Sequence, residues 1–287
     1  SNTSGASNTG LGIWAGHGNA TGSANTYVGS SAGKGVANNN NSNNVGVGYN
    51  ALLDIRTGDE NTSIGKDSSL NLQDGHNNVA IGNNALETSE SVGYVVAIGN
   101  DAMKSGDATS AADGTIAIGG SALSALTSGS KNIAIGYEAM NDMQTGTNNI
   151  ALGYQTMDVL QGSDGSGGIA ASANGGNHNI AIGTDAMGAV EGFKANTEID
   201  GNIAIGTNAL LGGDLGNNNN YDFIGNIAIG YNAVKSTGDA QVMTGTIGIG
   251  YEALTACTSG EHNTAVGYHS LHDVNTGGSN TAVGKFS

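Results

Sequence analysis

Glycine recurs in this sequence at a fixed spacing, and that period constrains the fold more tightly than any other feature. Anchored on the glycine that closes "NNVAIG" and "KNIAIG", the recurrences are Gly12, Gly29, Gly48, Gly65, Gly82, Gly99, Gly119, Gly136, Gly153, Gly183, Gly206, Gly230, Gly250, Gly267 and Gly284. Eight of the fourteen intervals are 17 residues, and the others are 19, 20, 30, 23, 24 and 20. A unit this short cannot enclose a globular core, so adjacent units must supply one by stacking. The period predicts one repeat domain over residues 1–287, an all-β parallel β-solenoid of about fifteen 17-residue-based coils. Longer loops are inserted at about 158–178, 188–200 and 212–224, between one coil's Y-x-A-L element and the asparagine of the next. Fifty glycines and no proline would indicate disorder if the glycines were scattered, but here they are phased and mark turns.

Counting from each glycine as position zero, minus three is Thr, Val or Ile and minus one is Ile, Val or Leu throughout. The residue between them is Ala, Gly or Ser, except for Tyr27. A period of two is that of a strand, and the lack of polar variety on either face predicts burial on both. We expect the branched aliphatics to form ladders inside the coil and the small residues to form an outer face that another chain can approach closely. Ala80, Ala117, Ala134, Ala151, Ala181, Ala204 and Ala228 are the packing residues on that reading. Four or five apolar side chains per coil are few against the entropy of ordering 17 residues, so several chains are expected to pack side by side. Asparagine occupies minus four in twelve copies, which predicts a stacked amide ladder between coils. The Y-x-A-L element has helical spacing, but a helix about 10 Å across does not match a coil rise of about 4.8 Å. A tight turn followed by a second short strand is expected there, with a single helical turn as the other reading.

The runs "NNVAIGNNAL", "KNIAIGYEAM" and "HNTAVGYHSL" resemble the head repeat of trimeric autotransporter adhesins, the YadA-like head. They are also similar to the N-T-A-V-G-Y-x-A-L arrays of phage tail fibres. The resemblance spans the whole chain and implies left-handed parallel β-rolls packed as a homotrimer. It further implies an extracellular location, on a virion tail fibre or a cell surface, and a host glycan or protein receptor as partner. The expected function is that of a fibre module presenting a receptor-binding surface, with a bacterial adhesin head as the alternative origin. The chain opens at Ser1 and closes inside a repeat at "NTAVGKFS", which reads as a fragment or a processed piece.

Chemistry-bearing motifs are sparse. A net charge of −16 with eight Lys and Arg argues against nucleic acid or an anionic membrane as partner, and no segment reads as a membrane span. "GVGYNA" and "GIGYEA" match a dinucleotide-binding pattern but fall on the repeat itself, without a crossover helix. Cys257 sits at an apolar repeat position and reads as a small buried hydrophobe. His269 and His272, with Glu261 and Asp273 near in sequence, fall short of the convergent set that zinc needs and read as surface residues. On a trimer, an ion on the symmetry axis remains open. Asp164, Asp214, Asp222 and Asp239 are loop acids that could hold Ca²⁺, though solvation is their ordinary state; no other cofactor is expected. No nucleophile–base pair or carboxylate pair stands apart from the repeat, so no enzymatic activity is expected; a polysaccharide depolymerase, the enzymatic alternative, would need clustered acids in a groove between chains. An ice-binding solenoid would need a continuous Thr row, and minus three is Thr only at Thr9, Thr26, Thr62, Thr264 and Thr281. The tyrosines at plus one, Tyr49, Tyr137, Tyr154, Tyr231, Tyr251 and Tyr268, cover a flank or stack on sugars. The insertions carry aromatics among adaptable polar residues, which makes Phe193, Lys194, Tyr221, Asp222 and Phe223 the expected receptor contacts.

Overall fold

A computed structural model of the chain describes residues 3–37, 39–104, 108, 110–158, 162–163, 176–188, 193–194, 199–212, 223–235, 243–257 and 260–287. Compactness divides the chain into two units, Ser1–Asn132 and Ile133–Ser287, although the sequence repeat runs through both. In the first unit the strands Thr9–Leu11, Thr26–Val28, Val45–Val47, Thr62–Ile64, Val79–Ile81, Val96–Ile98 and Ile116–Ile118 pair in parallel, each with its sequence neighbour. In the second unit Ile133–Ile135, Ile150–Leu152, Ile180–Ile182, Ile203–Ile205, Ile227–Ile229, Ile247–Ile249, Thr264–Val266 and Thr281–Val283 do the same. Equivalent positions are in register, as in Val79 beside Val96, Ala80 beside Ala97 and Ile81 beside Ile98. Each unit is therefore a parallel β-solenoid, and among the described residues the one helical element is a 3₁₀ turn at Ser110–Ala112.

The faces of the strand are the reverse of the expectation. The small residue at minus two points into the coil: Ala80, Ala117, Ala134, Ala151, Ala181, Ala204 and Ala228 are all fully buried within their own chain. The aliphatics at minus three and minus one lie on the outside, only partly covered. Coil thickness is the physical cause. A methyl group built at Gly248, which occupies minus two, stands 2.4 Å from Cγ2 of Val234 and 3.3 Å from the carbonyl oxygen of Ala253 across the coil. No branched side chain fits that gap. The interior is filled instead by Ala at minus two and plus three together with Leu, Met or Ile at plus four and plus seven, such as Leu52, Ile55, Leu72, Met140 and Met143.

Tyr27 shows the same constraint from the other side. It is the one bulky residue at minus two, and it is buried. Its ring occupies the volume that a plus-four side chain would take, and that position is Gly33, where an added Cβ would lie 2.2 Å from the ring. The Tyr27 hydroxyl donates to Asn41 Oδ1 at 2.6 Å, and burial pushes its phenol well above the ordinary tyrosine range.

The Y-x-A-L element is neither a second strand nor a helical turn. Its plus-two and plus-four residues are left-handed, as in Asn84 (φ 53) and Leu86 (φ 56) or Asn208 (φ 55) and Leu210 (φ 52). Each non-glycine residue in this region costs about 1–2 kcal/mol, so the alternation needs compensation. The cross-coil ladder supplies it. The Asn208 N–H donates back to Thr207's counterpart in the preceding coil, Thr184, at 3.0 Å, while the Leu210 N–H donates forward to Ala233 at 2.9 Å. A helix would satisfy those groups within its own segment and leave neighbouring coils unpaired. The second parallel pairing lies elsewhere, just before the asparagine turn, where Ile199–Asp200, Phe223–Ile224 and Met243–Thr244 form a three-stranded sheet.

The anchoring glycine is required for two reasons. Gly82 has φ +139, and a Cβ there would stand 2.3 Å from the carbonyl oxygen of Gly99 in the next coil. The asparagine ladder forms as expected: Asn61 Nδ2 donates to Asn44 Oδ1 (3.1 Å) and to the Gly75 carbonyl (2.8 Å), and Asn78 repeats the pattern on Asn61 and Val92. All of these amides are buried, so they satisfy in each turn the backbone groups that water cannot reach.

Candidate functional site

Apolar side chains line the outer surface in three rows, two of them running from coil to coil and the third present in six coils. The first two are the aliphatics flanking the strand centre; apart from Leu11 and Val283 in the terminal coils they are most open at Ile135 (39% exposed), Ile64 (39%), Ile205 (37%) and Ile182 (36%). A parallel sheet normally has both faces covered, and this one keeps an apolar face open across coil after coil. The third row is the tyrosines at plus one. They are exposed and stack on one another, Tyr137 on Tyr154 at 5.6 Å, Tyr231 on Tyr251 at 5.2 Å and Tyr251 on Tyr268 at 5.2 Å between ring centres. In these pairs each ring covers its neighbour in the next coil while leaving an edge to solvent.

The plus-two residues form a polar row. Asn50 Nδ2 donates to Asp67 (2.9 Å), Asn84 Nδ2 to Asp101 (2.8 Å), Gln155 Nε2 to Glu138 (2.8 Å) and Asn208 Nδ2 to Asn232 (3.0 Å). Near the end of the second unit this row becomes Glu252 and then His269, whose Nε2 lies 2.9 Å from Glu252 Oε2. His272 folds back over His269, ring on ring at 4.7 Å and 10°, and its Nε2 comes to 3.9 Å from the same carboxylate oxygen. Its other ring nitrogen is 2.7 Å from Asp273 Oδ1. Among the described residues Glu252, His269 and His272 are the one group with metal-ligating atoms gathered within 4.8 Å of each other. A cleft of about 520 Å³ lined by His269, Leu271, His272, Asp273, Val274 and Phe286 borders it.

The expected receptor contacts are placed unevenly. Phe223 is not one of them: it is 3% exposed, paired with Ile199 and Met243 in the inner sheet, because it occupies the coil position seven before the glycine, which points inward. Phe193 and Lys194 pair through their backbones with Gly162 and Ser163. Tyr221 and Asp222 lie outside the described residues, as do Asp164, Asp214 and Asp239. Cys257 is buried in the core as its repeat position implied. Gly46–Ala51 and Gly248–Ala253 run from strand into turn with no helix, so the dinucleotide pattern lacks its structural context. Glu261 is exposed and takes no part in the histidine cluster. Glu252 escaped the sequence reading because it lies one coil period, 17 residues, before His269; in a solenoid that spacing is direct adjacency.

Among the described residues no helix is long and apolar enough to cross a membrane. Comparison with models of known protein families and with curated proteins gives no match.

Proposed function

We propose that this chain is a non-enzymatic structural module of a surface fibre, assembled as a homotrimer through its outer aliphatic rows and presenting a receptor-binding surface to a host cell. The observation that carries the proposal is the open apolar face on a parallel sheet. Covering an Ile that is already about two-thirds buried adds roughly 0.5–1 kcal/mol, and the gain recurs in every coil. Contiguous apolar surface of this kind marks an association site. The number of chains, the extracellular setting and the assignment to a phage tail fibre rest on the resemblance of the N-x-A-I-G-Y-x-A-L repeat to such fibres.

Receptor contact belongs to the insertions. Surface loops accept added length cheaply, and symmetry would multiply weak sites into avid ones. Light scattering on the purified chain tests assembly, and a stable folded species near the 28.3 kDa monomer mass rejects it. Shortening the loops within 164–175 and 213–222 leaves Gly176 and Phe223 in place. We expect a folded assembly with reduced attachment to host cells or glycans, and undiminished attachment rejects the loops as the binding site.

A further inference from the structure

We propose that Glu252, His269 and His272 form a binding site for a divalent transition-metal ion, with Zn²⁺ as the best-matched ligand, that clips two consecutive coils of the second unit together. At Asn50–Asp67, Asn84–Asp101 and Glu138–Gln155 the plus-two row pairs a carboxylate with an amide of the adjacent coil, and Glu252 Oε1 accepts in the same way from Asn232 on its other side at 3.4 Å. Here the rung holds a carboxylate and an imidazole, and a second imidazole converges on it from plus five. The geometry comes from the turn backbone: His269 (φ 52) and Leu271 (φ 48) are both left-handed, which brings His272 back over His269 rather than around the coil.

The spacing suits a small ion. Tetrahedral coordination at about 2.0–2.1 Å places ligand atoms roughly 3.3 Å apart. The Nε2–Oε2 separations of 2.9 Å for His269 and 3.9 Å for His272 lie on either side of that value, and all three ligand atoms lie within 4.8 Å of one another, so a rotation of the His272 ring out of its stack on His269 would turn both lone pairs toward one ion. Two imidazoles and one carboxylate favour Zn²⁺ over Ca²⁺ or Mg²⁺, which prefer all-oxygen sets. Asp273 supplies what a histidine ligand ordinarily requires. By accepting from Nδ1 of His272 at 2.7 Å it holds the tautomer whose Nε2 lone pair faces Glu252. The three side chains are 21%, 22% and 35% exposed, which leaves water as the fourth ligand and gives the ion a way in. The competing account is an ordinary hydrogen-bonded rung with a stacked histidine beside it.

The test is Zn²⁺ titration of the metal-stripped full chain by calorimetry, with Co²⁺ absorption as a second readout. The wild type is expected to take up a single Zn²⁺ per chain, to melt at a higher temperature with it, and to give the intense visible bands of four-coordinate Co²⁺. H272A keeps the Glu252–His269 contact and is expected to lose both the uptake and the shift in melting temperature. D273N is expected to weaken binding by roughly 10- to 100-fold while folding normally. If H272A does not fold, H272Q takes its place. No uptake by the wild type overturns the proposal, as does equal uptake by wild type and H272A, which would leave only the hydrogen-bonded rung.

Discussion

Replacing Asn202 by alanine tests whether the buried amide ladder, rather than the thin apolar interior, holds successive coils together. Asn202 Nδ2 donates to Asn179 Oδ1 at 3.0 Å and to the Phe223 carbonyl at 2.6 Å. Its Oδ1 accepts from the Asn226 backbone N–H at 2.9 Å and from Asn226 Nδ2 at 3.0 Å. After the substitution Asn226 Nδ2 still has the Met243 carbonyl, and Asn179 Oδ1 still has the Asn202 N–H. The Asn226 N–H loses its acceptor and the Phe223 carbonyl loses its side-chain donor. Both lie beside a fully buried position that water does not reach. At about 1–3 kcal/mol per unsatisfied group, the loss comes to about 2–6 kcal/mol. For a unit of this size each kcal/mol shifts the melting point by roughly 2–4 °C, so the expected fall is on the order of 10 °C. Thermal melting by circular dichroism measures it, and hydrogen exchange at the Asn226 amide localises it. Asn202→Thr is the graded control, because Thr246 shows that a hydroxyl at this position can donate to the next coil's carbonyl, Gly260, at 2.9 Å. N202T is expected to lose less than N202A. A melting point for N202A within about 2 °C of wild type, or no worse than that of N202T, would refute the ladder as the inter-coil tie.

The reversed faces and the exchange of volume between two positions give further tests. Ala204→Leu is expected to destabilise the chain by about 1–3 kcal/mol through overpacking, whereas Ile205→Ser is expected to leave the fold within about 1 kcal/mol and to weaken assembly; denaturant melts and light scattering on the two variants decide it, and the opposite pattern would restore the small residues to the outer face. Tyr27→Ala is expected to cost about 3–5 kcal/mol by opening a cavity, and adding Gly33→Leu, the commonest side chain at that position in the other coils, is expected to recover much of it. Strictly additive effects in that double-mutant cycle would show that the two positions do not share one volume.

The sequence alone determined the period, the strand and the turn chemistry, because each rests on a local requirement repeated until chance is excluded. A residue at φ +139 with a carbonyl 2.3 Å from where its Cβ would be, as at Gly82, must be glycine in every coil. An amide that bonds to its own equivalent in the coils before and after, as Asn61 does, is favoured in phase, and it recurs in twelve copies. Which face of the strand is inside was not legible, since Ile133, Ala134 and Ile135 are all apolar and alternation distinguishes two faces without ordering them. That choice was made by the width of the coil, a property of the closed turn. The left-handed alternation at Asn208 and Leu210 was hidden for the same reason: Y-x-A-L has the spacing of a helix, and only the need to pair N–H groups with coils on either side makes it a turn. Phe223 read as a loop aromatic until the coil position seven before the glycine proved to point inward. The Glu252, His269 and His272 cluster shows the limit most directly, because residues 17 apart in a chain become neighbours only once the pitch of the solenoid has set one coil upon the next.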